Sequence, residues 1–133
     1  MTLNKLFTYG TLCSNFNNPN AVALQKKSTL LGKAQIKGKI YLINHSYPGL
    51  IQTEGNSTWV HGEIWLLHEP IATLLQLDEY EGCSPNSMEP FEYSRAIRHV
   101  SFGDDLIEAW VYLYRLSVDH LQEIALGYFQ KHS

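Results

Sequence analysis

Acids are missing from the first 53 residues of this chain, cysteine is scarce, and no apolar run is long. Each absence narrows what the protein can be. The two cysteines, Cys13 and Cys83, lie far apart and match no zinc or redox spacing, so both are expected to be free thiols. No apolar stretch approaches the roughly 20 residues that cross a bilayer. The opening MTLNKLFTYG lacks the apolar centre and small-residue cleavage site of a signal peptide, which makes a cytoplasmic location the default. There is no basic run, recognition-helix pattern or RNA-binding aromatic motif, so neither a nucleic acid nor a membrane is an expected partner. No two of the six histidines have i,i+4 metal spacing, and His61 and His68 have no ligand set beside them. A G-x-S-x-G nucleophile elbow is also lacking.

The 133 residues are 44% hydrophobic and 17% charged, a balance that supports a packed core and argues against disorder. One domain over residues 1–133 is expected at this length. The net charge of −3 hides an asymmetry: six basic residues precede residue 54, and thirteen acids with four basic residues follow. The basic half can help attract an anion. The alternation of Lys33, Lys37 and Lys39 fits the solvent face of a strand better.

The sequence pattern predicts strands at 5–9, 34–43, 59–67, 91–100 and 107–115. Gly38 marks a bulge or a close approach, Tyr47-Pro48-Gly49 a turn, and Gly103-Asp104-Asp105 a hairpin turn. Helices are predicted from Pro19 to Lys27 and from Pro70, with Ile71, Leu74 and Leu75 at helical spacing and Gly82 at C′. A third is predicted from Val118 to Lys131, capped by Ser117. The order β, α, β, β, α, β, β, α points to an α+β fold whose curved sheet can close into a small barrel.

Three stretches can carry chemistry. FTYGTLCS, residues 7–14, follows a strand directly. Gly10 can take backbone angles closed to other residues, so the N–H groups of Gly10, Thr11 and Leu12 can converge on a carboxylate or phosphate. It is not a P-loop, for it lacks the second glycine and the Lys-Ser/Thr pair. The alternative is a glycine that merely turns the strand. Cys13 has nothing local to activate it beyond those N–H groups, so a nucleophilic role is not favoured. LDEYEG, residues 77–82, places three acids at the negative end of a helix, where cations are the ordinary choice. Asp78 and Glu79 read as exposed and tolerated. Glu81, just before the C′ glycine, has its ionised form disfavoured, and burial beside aromatic residues would raise its pKa further. That is what a general acid–base needs. Last, Tyr93 with Arg95, and Tyr112 with Tyr114, set polar-tipped side chains on one face of a strand, as a pocket wall or as core packing with wet hydroxyls.

In order, the chain carries Y-G-T-L (Tyr9 to Leu12), Y-P-G (Tyr47 to Gly49), G-E-I-W (Gly62 to Trp65), L-D-x-x-E-G (Leu77 to Gly82) and Y-x-R (Tyr93, Arg95). Each motif alone is weak, but the set in this order resembles the gamma-glutamylcyclotransferase-like family from Leu6 to about Tyr114. The length is most similar to the compact branch that includes gamma-glutamylamine cyclotransferase. The resemblance implies a small β-barrel with flanking helices and a cavity where the YGTL backbone holds a substrate α-carboxylate. It implies that Glu81 is the catalytic acid–base, with Tyr47, Tyr93, Arg95 and Tyr114 as further candidates for substrate contact. The reaction implied converts a gamma-glutamyl amine or peptide to 5-oxoproline and a free amine, and requires no metal, nucleotide or other cofactor. The chain departs from the family after YGTL, where Cys13-Ser14-Asn15-Phe16-Asn17-Asn18 replaces basic residues and a glycine. That leaves the identity of the released amine open. Two other readings remain: a binding module of the same fold without turnover, and an interaction domain, which would show a large exposed apolar patch.

Overall fold

A computed structural model describes residues 3–52, 58–84, 87, 89–124 and 129. Its elements run β1 (Lys5–Thr8), α1 (Pro19–Lys26), β2 (Ser28–Ile43), β3 (Tyr47–Ile51), β4 (Thr58–Leu67), α2 (Pro70–Tyr80), β5 (Tyr93–Phe102) and β6 (Asp105–Tyr114). The six strands form one sheet in the order β3-β2-β4-β1-β6-β5. All pairings are antiparallel except β1 with β6, which meet at Leu6 and Trp110. The sheet curls until β2 reaches β5 at a single bridge, Gln35 to Ser101. The fold is therefore α+β as expected, with a curled sheet joined at one point in place of a fully laddered barrel.

Alternation along the strands sorts the core onto two faces. In β2, Ala34, Ile36 and Ile40 are buried, while Lys33 and Lys37 are exposed. They join Phe7, Leu50, Val60, Ile64, Val100 and Val111 in one cluster. The next residue back from Phe7, Leu6, points the other way, into a second cluster with Leu24 of α1, Leu74 and Leu77 of α2, Trp65, Tyr93 and Tyr112. Gly62 lets β4 and β1 lie this close: a Cβ there would sit 2.0 Å from the Thr8 carbonyl oxygen. Gly38 is a close approach too, its added Cβ meeting the Ile51 carbonyl oxygen at 2.9 Å.

Several expectations change. β2 begins at Ser28, not at residue 34, and a register shift between Leu30 and Gly32 breaks the alternation that would have revealed it. Gly32 sits there with φ +147°. Tyr47-Pro48-Gly49 is strand, not turn; the reversal lies just before it, where Asn44 and His45 take positive φ. Pro48 is tolerated because β3 is at the end of the strand order, where a missing N–H costs no ladder bond. In α2 the buried residues are Thr73, Leu74, Leu77 and Asp78, whereas Ile71 and Leu75 are 65% and 58% exposed. The helix expected from Val118 does not form over 118–124. There the chain runs along β2, with Leu42 N–H donating to Gln122 O and Ile124 N–H to Ile40 O. The Ser117 hydroxyl accepts from Asp119 N–H at 3.4 Å but caps no helix. Most of 125–131 lies outside the described residues. Among the described residues no helix is long and apolar enough to cross a membrane.

Candidate active site

The turn after β1 is built by short-range bonds. Cys13 N–H donates to Gly10 O at 3.1 Å. Asn18 ties the turn to α1, donating from Nδ2 to Thr11 O at 2.8 Å while its Oδ1 accepts from Ala21 N–H at the helix start. Gly10 is needed for space, not for unusual backbone angles. Its φ lies outside the left-handed region, and an added Cβ would meet Pro48 Cγ at 2.7 Å. Among the described residues, the N–H groups of Gly10, Thr11 and Leu12 have no protein acceptor. Thr11 Oγ1 reaches the Tyr80 hydroxyl at 2.9 Å, linking this turn to the end of α2.

That helix end is a Schellman motif. Gly82, at φ +73°, donates to Glu79 O, and Cys83 N–H donates to Asp78 O at 2.9 Å. The motif fixes Glu81 as the C-cap, with its own N–H on Leu77 O at 2.8 Å. The three acids of LDEYEG then have three surroundings. Glu79 is exposed, as expected. Asp78 is not: it is 8% exposed and accepts from Arg95 Nε at 2.8 Å, Arg95 Nη2 at 3.0 Å and Tyr112 OH at 2.7 Å. Glu81 faces a cavity, and its carboxyl has no hydrogen-bond partner among the described residues.

The cavity encloses about 360 Å³. Tyr9, Gly10, Thr11 and Leu12 line it from the turn, Tyr47 and Pro48 from β3, and Tyr80 and Glu81 from the helix end. Glu92 just before β5, Tyr93 at its start and Tyr112 of β6 also line it. Of the residues singled out in the sequence, Arg95 and Tyr114 do not line it. Arg95 is held by Asp78 and lies over the Trp110 ring, 4.3 Å from its centroid. Tyr114 packs edge-on against Tyr93 at 5.5 Å and fills the space beside Gly49. The tyrosine tips in the wall are largely committed to the scaffold. Tyr9 OH donates to Tyr112 O at 2.5 Å and accepts from Leu50 N–H, and Tyr93 OH donates to Pro48 O at 2.7 Å. Burial pushes the phenols of Tyr9, Tyr93 and Tyr112 well above their ordinary range, so they remain protonated donors.

Burial also pushes the Glu81 carboxyl up to about 8, reinforced by the nearby negative charges of Glu92 and then Asp78. The direction is the one expected, but its cause is the cavity and its second acid. Glu92 is the residue that sequence reasoning missed. Its Oε2 accepts from Tyr47 OH at 2.6 Å. Only its position one before Tyr93 could have pointed to it. Burial raises the Cys13 thiol to about 12, which disfavours its thiolate form. Both cysteines are free. Among the described residues no group of His, Cys, Asp and Glu could hold a metal, and His68 Nε2 is engaged by Thr29 Oγ1 at 2.7 Å.

Solved structures share this fold. An AIG2-like protein from Mus musculus aligns with TM-score 0.73 at 21% identity, over 98% of this chain and 90% of its own. Protein ytfP from Escherichia coli gives TM-score 0.66 at 28% identity, over 94% and 95%. YkqA from Bacillus subtilis gives 0.69 at 19% identity; the match covers 95% of this chain but only 39% of that longer protein. No curated protein matches the sequence. The family model described as gamma-glutamyl cyclotransferase, AIG2-like, matches residues 6–131. The chain thus belongs to the gamma-glutamyl cyclotransferase, AIG2-like family.

Proposed function

We propose that residues 1–133 act as one catalytic domain that converts a gamma-glutamyl amine or peptide to 5-oxoproline and a free amine, with Glu81 as acid–base. The observation that carries this reading is an unpartnered carboxyl, raised to about 8, in one cavity with the unpaired N–H groups of Gly10, Thr11 and Leu12. Those N–H groups suit the α-carboxylate of the gamma-glutamyl group. The same group carries its own nucleophile, the α-amine, so the cavity needs chiefly to hold the conformer in which amine and γ-carbonyl meet. Ionised Glu81 takes a proton from the α-ammonium. The freed amine attacks the γ-carbonyl carbon and the ring C–N bond forms. As the tetrahedral intermediate collapses, the amide C–N bond breaks, the departing nitrogen takes the first proton back from Glu81, and the second proton of the ring nitrogen passes by way of Glu81 to the freed amine, which leaves as ammonium. A carboxyl near pH 8 serves both directions, whereas an ordinary glutamate would return the proton poorly.

Incubation with gamma-glutamyl dipeptides and gamma-glutamyl amines, assayed for 5-oxoproline, tests the reading. Wild type should form product, and Glu81→Gln should lose it by about a hundredfold or more. Equal product from both would remove Glu81 from the chemistry. A second reading, a binding module of this fold, draws on the same raised carboxyl: at pH 7 most of Glu81 is protonated and is not a base. Binding without product would select it.

A further inference from the structure

Glu92 enters the cavity immediately before β5 with its backbone fixed, Arg115 N–H donating to Glu92 O at 2.7 Å. One carboxylate oxygen is held by a neutral donor, the Tyr47 hydroxyl, itself approached by Asn44 Nδ2 at 3.3 Å. The other has no hydrogen-bond partner among the described residues. A carboxylate drawn partly out of water is stabilised by a nearby cation. Here none of the residues lining the cavity is lysine, arginine or histidine. Arg95, near in sequence, is committed to Asp78, and Arg115 lies by the Phe91 ring. The described residues thus leave the charge of Glu92 uncompensated.

A gamma-glutamyl amide brings one carboxylate, which suits the N–H groups of the turn, and one ammonium, which the proposed chemistry sets against Glu81. Nothing in that half of the substrate is left over for Glu92. A neutral leaving amine would leave it unpaired. A leaving amino acid with a free carboxylate would add a like charge. A leaving amine that bears a second ammonium would pair with it. We propose that Glu92 is a specificity residue of this cavity and selects gamma-glutamyl amines whose leaving part carries a positive charge. The assignment rests on the cyclotransferase reading for its substrate half.

Three probes of one length separate the possibilities: gamma-glutamyl-1,4-diaminobutane, gamma-glutamylbutylamine and gamma-glutamyl-4-aminobutyrate, with cationic, neutral and anionic tails. Wild type should rank them in that order by kcat/KM for 5-oxoproline release. Cationic over neutral should be about tenfold, with a larger gap to the anionic probe, shrinking as salt is raised. Glu92→Gln should compress the ranking towards one. A wild type indifferent to tail charge overturns the assignment without recourse to any variant, and so does an unchanged ranking in a folded Glu92→Gln protein. If no probe yields 5-oxoproline, the cyclotransferase reading fails separately, and calorimetric binding of the same probes decides. Charge-ranked affinity lost in Glu92→Gln upholds Glu92, and affinity without ranking, or no binding, overturns it.

Discussion

Glu81 and Glu92 share one cavity, and the negative charge of Glu92 disfavours ionisation of Glu81. On the proposed mechanism the ionised form of free Glu81 is the one that reacts. The profile of kcat/KM should therefore rise as pH climbs through about 8. Replacing Glu92 by Gln removes a negative neighbour, which makes ionised Glu81 less unfavourable, so the acidic limb should move to lower pH. A limb that stays in place would separate the two residues. The same carboxyl has a stability consequence. Its folded pKa is raised above the unfolded value, so the native state binds more protons between about 4.5 and 8, and stability contributed at low pH is lost as pH rises through that window. Glu81→Gln should thus melt higher than wild type at pH 9 and closer to it at pH 5, as scanning calorimetry would show. The direction of the Glu81 shift was read from its place before Gly82, although burial and the charges of Glu92 and Asp78 are what raise it. The part of Glu92 was not, because a loop carries it to the cavity from a different stretch of chain.

At the level of elements, α2 is aimed by its last turn. Asp78 joins it to Arg95 on β5 and Tyr112 on β6, while the Schellman bonds stop it at Gly82. Arg95→Ala would leave a buried carboxylate with only neutral donors, Tyr112 OH and the Cys83 thiol, at a cost of about 3 kcal/mol, and would slacken the hold on Glu81. Urea unfolding should show the loss, and 5-oxoproline release should fall with it. Arg95→Lys should recover only part, since a lysine cannot span both carboxylate oxygens as the guanidinium does. Both helices were readable from periodicity and punctuation, and strands such as β4 and β6 from their β-branched and aromatic content. The start of β2 and all of β3 were not. A bulge at Leu30 to Gly32 erases the period of two in the first, and Pro48 mimics a turn in the second. After Ser117 an apolar spacing that suits a helix is overruled by bonds to Ile40 and Leu42.

For the whole molecule, the curl of the sheet brings distant stretches around one space. Tyr9 is the clearest case, since its hydroxyl joins β3 at Leu50 and β6 at Tyr112 from the end of β1. Within that sheet β1 and β4 lie close at Gly62. Gly62→Ala would press a methyl into the Thr8 carbonyl and the Phe7 ring. Separation of the two strands should cost about 3 kcal/mol or more, seen as a lower Tm and as loss of the cavity's ligand binding together. Family membership was legible in the ordered motifs, because each marks a place where backbone or charge is constrained. The single-bridge closure was not, since no local pattern encodes where two strand edges meet.

The cavity wall with two carboxyls and no cationic side chain also bears on how a turnover ends. On the proposed reaction, ring closure would turn the α-ammonium into an uncharged lactam nitrogen. What entered as a zwitterion at its glutamyl end leaves as a plain anion, while the amine departs separately. With Glu81 ionised again, that anion faces two like charges and retains only backbone N–H groups to hold it. The chemistry would cancel the attraction that admitted the substrate, so 5-oxoproline should be a feeble inhibitor of its own formation.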